Sequence, residues 1–167
     1  MVATITGKTV TDTIQLVSFT LGDEEYGIEI LKIREIVRIP PITRVPRSPA
    51  FIMGLINLRG KVIPVIDLHK RFGVEKNEIT PSARIIVAEL GPRTTGLLVD
   101  SVSLALKLDA SQIEPPPQIV DGGSSEYIKG VGKTDGRLII ILDVDKFLSD
   151  EEQTRLAAAE HAAPATA

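Results

Sequence analysis

The sequence predicts an all-β protein built from two small barrels. Three observations indicate this class: many short apolar runs typical of strands, glycine and proline between the runs, and a strand-rich unit that occurs twice. Aromatic residues make up only 4% of the chain, so isoleucine, valine and leucine must fill the core. The alternative arrangement is one larger β-sandwich.

The internal duplication sets the predicted domain organisation. Gly60 and Asp67 are matched by Gly136 and Asp143, each pair 76 residues apart, within units that cover roughly 16–72 and 85–148. We therefore expect four parts: a disordered tail over 1–13, a first barrel repeat over 14–82, a second over 83–148, and a C-terminal helix with a frayed tail over 149–167.

Local patterns place the remaining elements in order. Ser149 and Glu152 have the spacing of a capping box and predict a helix over about 150–160. Two connectors are rich in proline, which makes them stiff. The expected elements are strand 15–21, a turn at 22–25, a helical turn at 30–32, strand 33–39, connector 40–49, hairpin 54–68, a helical turn at 69–73, strands 84–90, 94–99 and 100–108, connector 114–120 and hairpin 127–144.

The hairpin over 54–68 is the centre of the first repeat. Its corner falls at Arg59 and Gly60, because glycine takes a positive φ without a Cβ clash. Asn57 shares a strand face with Arg59, so a polar pair stands at the tip of an apolar hairpin. Pro64 lacks an N–H and predicts that its strand is an edge or carries a bulge.

Composition disfavours several classes of function. The formal net charge of −3 argues against nucleic acid as the main partner, since no excess cation is available to bind phosphate. The chain has no cysteine, which excludes disulfides and thiol chemistry. No apolar run approaches the ~20 residues that span a bilayer. We expect a cytoplasmic protein without membrane insertion.

Signals for enzyme chemistry are weak. Of the two histidines, His69 follows Asp67 but is replaced by Asp145 in the second repeat, and His161 lies in the tail. The segment 132–134 resembles the end of a phosphate-binding loop, but the required earlier glycine is Tyr127. No metal-ligand spacing is present, and we expect no cofactor.

The two repeats differ where a partner would bind. Residues kept in both repeats are expected to be framework, whereas 57–59 read Asn-Leu-Arg in the first and 133–135 read Lys-Thr-Asp in the second. An exposed leucine between asparagine and arginine is typical of a surface that a partner covers. A solvated turn is the alternative interpretation.

Six motifs in order resemble the CheW-like domain family of chemotaxis coupling proteins. They lie within about 15–150, at 21–28, 30–36, 43–46, 57–60, 63–68 and 96–100. The resemblance implies two five-stranded SH3-like β-barrels with partly exchanged strands, so that 14–150 form one domain. It also implies a non-catalytic adaptor that couples the cytoplasmic tip of chemoreceptors to the histidine kinase CheA, whose regulatory domain has the same fold.

The resemblance also implies two contact regions. The receptor is expected to contact the strand face of Ile33 and Glu35, together with Asn57, Arg59 and Gly60. Val99 completes an apolar wall for a receptor helix. Kinase contact falls to the stiff segment that contains Glu114, Ile119 and Val120.

Three other classes stay open on the sequence alone. The chain could be a CheW-like domain of a larger protein, either a CheA fragment or a relative with a phosphorylated receiver domain. It could be a nucleic-acid-binding small barrel or an esterase-like enzyme. The acidic net charge disfavours a nucleic-acid-binding protein. The absence of a histidine in a recognisable pocket disfavours an esterase-like enzyme.

Overall fold

The computed structural model describes residues 13–46, 50–72, 79–90, 93–115 and 128–146, and it is built mostly of strands. The prediction of a mostly-β protein is confirmed. The strands are β1 (Thr13–Leu21), β2 (Glu24–Glu29), β3 (Ile33–Val37), β4 (Ile52–Leu58), β5 (Lys61–Asp67), β6 (Arg84–Leu90), β7 (Arg93–Val99), β8 (Ser101–Asp109), β9 (Ile113–Glu114), β10 (Ile128–Thr134) and β11 (Arg137–Leu142).

Short helical segments connect some of these strands. Both predicted helical turns are present, as the 3-10 helix Ile30–Lys32 and as α1 (Leu68–Phe72). Two further 3-10 helices are Ala110–Gln112 and Val144–Lys146. Thr13, which the sequence places in the N-terminal tail, is the first residue of β1. The rest of the N-terminal tail lies outside the described residues. So do the C-terminal helix expected over about 150–160 and the frayed tail after it.

The strands form two sheets, each with strands from both repeats. The first sheet has six strands in the order β8-β1-β2-β11-β10-β9, and the second has five in the order β3-β6-β7-β5-β4. Paired neighbours run antiparallel except β2 with β11 and β5 with β7. Thus β1 and β2 leave the first repeat to join the second, while β6 and β7 move the other way. The sixth strand arises because the two-residue β9 pairs with β10.

Pro64 does not mark an edge strand, because β5 lies between β4 and β7. Its partner on β4 is Leu55, but the N–H and the C=O of Leu55 bond to Thr43 on the opposite side, at 2.7 and 2.8 Å. The Leu55–Pro64 pair therefore needs no N–H from proline. The bulge of this ladder lies on the partner strand, between Ile52 and Gly54 of β4, and not on the strand of Pro64.

The largest core cluster lies between the two sheets and draws on both. It is made of apolar side chains such as Phe19 and Ile28 from the first sheet, and Ile66, Leu97 and others from the second. Each sheet also encloses a smaller cluster of its own, one around Ile56 and Val65 and one around Leu16 and Ile141. Packing across the sheets therefore joins the repeats into a single folding unit.

Candidate functional site

The tip of the β4–β5 hairpin is held in one conformation by its own residues. Arg59 and Gly60 have φ angles of 52° and 85°, so both central residues of the turn are in the left-handed region. The side-chain Oδ1 of Asn57 accepts a hydrogen bond from the Gly60 N–H at 2.8 Å. Asp135 and Gly136 repeat the backbone turn in the other hairpin, with φ angles of 51° and 75°. The asparagine has no such counterpart, since Lys133 takes its place.

A charge pair joins this tip to the far side of the same sheet. The Arg59 Nη2 donates to Glu35 Oε2, and this hydrogen bond, together with the charge of Glu35, raises the pKa of the Arg59 guanidinium. Glu35 lies on β3 and Arg59 follows β4, which are the two edge strands of the five-stranded sheet. The pair therefore links the two edge strands of this sheet through their side chains.

The apolar residues expected beside this pair are placed differently from one another. Ile33 is half-buried at the start of β3 and packs against the shared core. Val99 is 0% exposed and belongs to that core. The expectation that Val99 forms part of an open apolar wall needs correction, because a fully buried residue at the end of β7 has no surface to offer a partner.

The second predicted contact region is described only in part. Glu114 is exposed on β9 and forms an ion pair with Lys133 Nζ on β10. Ile119 and Val120 lie outside the described residues. The structure therefore locates one end of this region, at the edge of the six-stranded sheet.

Sequence reasoning missed a buried cluster around His69. The ring is 2% exposed, with Nε2 at 3.0 Å from Asp100 Oδ2 and Nδ1 at 3.4 Å from Asp67 Oδ1. Asp100 Oδ2 also accepts from the Gly22 N–H at 2.7 Å. The two-residue spacing of Asp67 and His69 was visible in the sequence, but the approach of Asp100 depends on tertiary structure. Because the ring is enclosed, no substrate can reach it in this conformation.

The two framework aspartates terminate their strands in the same way. Asp67 Oδ1 accepts from the His69 N–H at 3.0 Å, and Asp143 Oδ1 accepts from the Asp145 N–H at 3.1 Å. Each aspartate thus caps the end of its strand by accepting the N–H two residues further along the chain. Within the described parts of the chain, no group of acidic, histidine or cysteine side chains could hold a metal ion. The described helices include none long and apolar enough to cross a membrane.

Comparison with known proteins agrees with this geometry. Residues 15–152 match the family model of the CheW-like domain. The chain is 40% identical over 151 residues to the chemotaxis protein CheW of Klebsiella aerogenes, covering 90% of each chain, and 37% identical over 139 residues to that of Rhizobium meliloti, covering 83% of this chain and 90% of the relative.

A solved structure shows the same likeness. The crystal structure of the scaffolding protein TtCheW from Thermoanaerobacter tengcongensis aligns with a TM-score of 0.77 at 40% identity. The alignment covers 83% of this chain and 90% of that one. By sequence and by fold, the chain belongs to the CheW-like domain family.

Proposed function

We propose that this protein is a non-catalytic chemotaxis adaptor that couples the cytoplasmic tips of chemoreceptors to the histidine kinase CheA. The observation that carries the proposal is the match to CheW proteins along 90% of both chains. The structure adds a rigid polar tip of the kind that positions a partner. The adaptor would act in the cytoplasm, beneath membrane-bound receptor arrays, without inserting into the membrane itself.

Receptor contact in this proposal centres on the pair that joins the two sheet edges. Glu35 and Arg59 present paired charges from the two edge strands of the sheet, while Asn57 and Gly60 shape the turn beside them. Ile33 supplies the apolar part of the surface. A helix laid along this edge would bury its apolar face, and the charges would set its orientation. Val99 would support the surface from within the core.

Kinase contact in this proposal lies on the other sheet, the six-stranded one. Glu114 is exposed at the edge of the six-stranded sheet, and Ile119 and Val120 follow it along the chain. Proline at 115–117 lowers the ordering cost of such a segment on binding. Receptor and kinase would then be held by different sheets of one molecule.

We also propose that each sheet is an SH3-like barrel, with the repeats at 14–82 and 83–148 exchanging strands. The support is that the two edge strands of each sheet are linked, by an ion pair in one sheet and by a three-residue segment of chain in the other. Glu35 and Arg59 join the edges of the five-stranded sheet. In the six-stranded sheet, the edge strands β8 and β9 are separated only by the 3-10 helix Ala110–Gln112.

Reconstituted kinase autophosphorylation tests the function. CheA is assayed with a receptor fragment, with and without this protein, and with the variant Arg59→Glu. We expect the protein to raise receptor-dependent activity and Arg59→Glu to abolish the rise by weakening receptor binding more than tenfold. Lys107→Glu, the same change of charge on exposed β8, is the matched control and should behave as wild type. No rise with a cognate set of partners would overturn the proposed function. A rise that survives in Arg59→Glu would overturn the proposed receptor site alone.

A further inference from the structure

The chain crosses between the two sheets at two places in the described residues, and each crossover is contacted by a side chain from the short helix that follows a hairpin. The first crossover is the 3-10 helix Ile30–Lys32, between β2 and β3. The second is Asp100, between β7 and β8. His69 contacts the second crossover and Asp145 contacts the first. These two residues are 76 positions apart, so they occupy equivalent places in the duplicated unit.

The crossover at Asp100 is half-buried, with the Asp100 side chain 31% exposed, and it is held from several directions. His69 Nε2 lies 3.0 Å from its carboxylate, and the same oxygen accepts the Gly22 N–H. The Asp100 N–H donates to the Thr20 carbonyl at 3.0 Å. Nearby, the ring of Phe72 on α1 stacks on Tyr26 of the other sheet at 5.7 Å. Moving this crossover would expose buried polar groups and break aromatic packing together.

The crossover at 30–32 is held far more weakly. Lys32 Nζ lies 2.9 Å from Asp145 Oδ2, and the two side chains are 39% and 45% exposed. Leu31 beside them is 92% exposed and packs on nothing substantial. Exposed ion pairs contribute little to stability and are screened by salt. The duplicated unit thus has a part-buried contact with the buried His69 at one crossover and an exposed ion pair at the other.

We infer that the two sheets move against each other by opening at the Lys32–Asp145 crossover, with the His69–Asp100 crossover as the pivot. β3 begins directly after Lys32, so opening displaces the edge strand that carries Glu35. The motion needs no partner, so it can be tested separately from the proposed function. If that function holds, the motion alters the surface proposed for the receptor.

Hydrogen exchange on the unmodified protein tests the inference without a risk of misfolding. Amide exchange is measured by mass spectrometry in 0.05 M and in 1 M NaCl, comparing peptides that cover 30–37 with peptides that cover 20–22 and 99–101. We expect salt to speed exchange at 30–37 by about threefold, as for loss of a weak ion pair, and to leave the other peptides within error. Equal acceleration of both crossovers, or none at 30–37, would overturn the inference.

Variants that reverse the charges of the ion pair provide the second test. Lys32→Glu should speed exchange at 30–37 about as much as high salt does. Salt should then have only the smaller effect that comes from the other exposed ion pairs of β3, Arg34–Glu89 and Arg59–Glu35. The double variant Lys32→Glu with Asp145→Lys restores an opposite-charge pair and should return exchange to the wild-type rate. If Lys32→Glu exchanges like the wild type, the ion pair does not control opening and the inference fails.

Discussion

At the residue scale, the side-chain amide of Asn57 stabilises the turn at the β4–β5 tip. Asn57 accepts the Gly60 N–H, and Arg59 reaches back to Glu35. The turn residues and the charge pair therefore constrain each other. The second hairpin keeps the same backbone turn without asparagine or arginine, which indicates that the turn is framework and the side chains are the specialised part.

Replacement of Gly60 tests the backbone requirement at this turn. An added Cβ would meet nothing within 4 Å, so the cost of Gly60→Val is the positive φ of 85° and not a clash. We expect a loss of roughly 1–3 kcal/mol in the free energy of unfolding, measured by urea denaturation. Gly60→Asn should lose much less, because asparagine tolerates this conformation. Equal losses for the two variants would contradict the conformational explanation.

At the element scale, strand β4 is tied to the connector before it by a close backbone approach. At Gly54 an added Cβ would lie 2.3 Å from the carbonyl oxygen of Thr43, which accepts the Leu55 N–H. This bridge fastens the connector to the edge of the sheet whose tip carries the proposed site. Only glycine leaves room for it.

Gly54→Ala should therefore loosen the connector and destabilise the protein by about 2–3 kcal/mol, as overpacking in a well-filled region does. Thermal and urea denaturation measure the loss. Gly136→Ala is the control, since it also has a positive φ but an added Cβ there meets nothing within 4 Å. A loss at Gly54 no larger than at Gly136 would exclude the clash as its cause.

Edge strand β3 is fastened to β6 by a charge pair that gives the protein an acid-sensitive element. Arg34 Nη1 donates to Glu89 Oε2 at 2.7 Å, and this bond lowers the pKa of Glu89 below its ordinary value of 4.5. A carboxyl whose pKa is depressed by folding stabilises the protein above its unfolded pKa. That contribution is lost as the pH falls through the folded pKa.

Glu89→Gln should thus be slightly less stable than the wild type near neutral pH, by less than about 1 kcal/mol for so exposed a pair. The difference should shrink as the pH falls from about 5 to about 3, because the wild type then protonates Glu89. Melting temperatures across this range measure the effect. Arg34→Gln should show the same convergence, and a gap that stays constant with pH would refute the assigned cause.

At the scale of the whole molecule, we expect the two repeats to unfold together. The core between the sheets takes side chains from both, and strands of each repeat pair within the sheet of the other. Loss of either sheet would expose the shared core. Stability is therefore a property of the joined pair.

Ile66→Ala, in the shared core, and Leu16→Ala, in the cluster of the six-stranded sheet alone, should each cost about 2–5 kcal/mol. Both variants should keep one cooperative unfolding transition, followed by far-UV circular dichroism and by the fluorescence of the two tyrosines. Two separated transitions in either variant would show that the sheets are independent units.

The sequence by itself determined the local features, because these depend on neighbours along the chain. Alternation of apolar residues indicated the strands, glycine marked the turn at Gly60, and the helical turn at 30–32 followed from its spacing. The duplication and the six motifs were enough to identify the family. Asn57 and Arg59 stood out because the second repeat lacks them.

Only the tertiary structure decided which strands share a sheet and which side chains meet across it. Nothing local reveals that β1 and β2 pair with strands of the other repeat, because strand exchange leaves the pattern within each strand unchanged. The same holds for the contact of His69 with Asp100, for the approach of Arg59 to Glu35 and for the burial of Val99. These depend on residues distant in sequence, whose proximity is fixed by packing of the whole core.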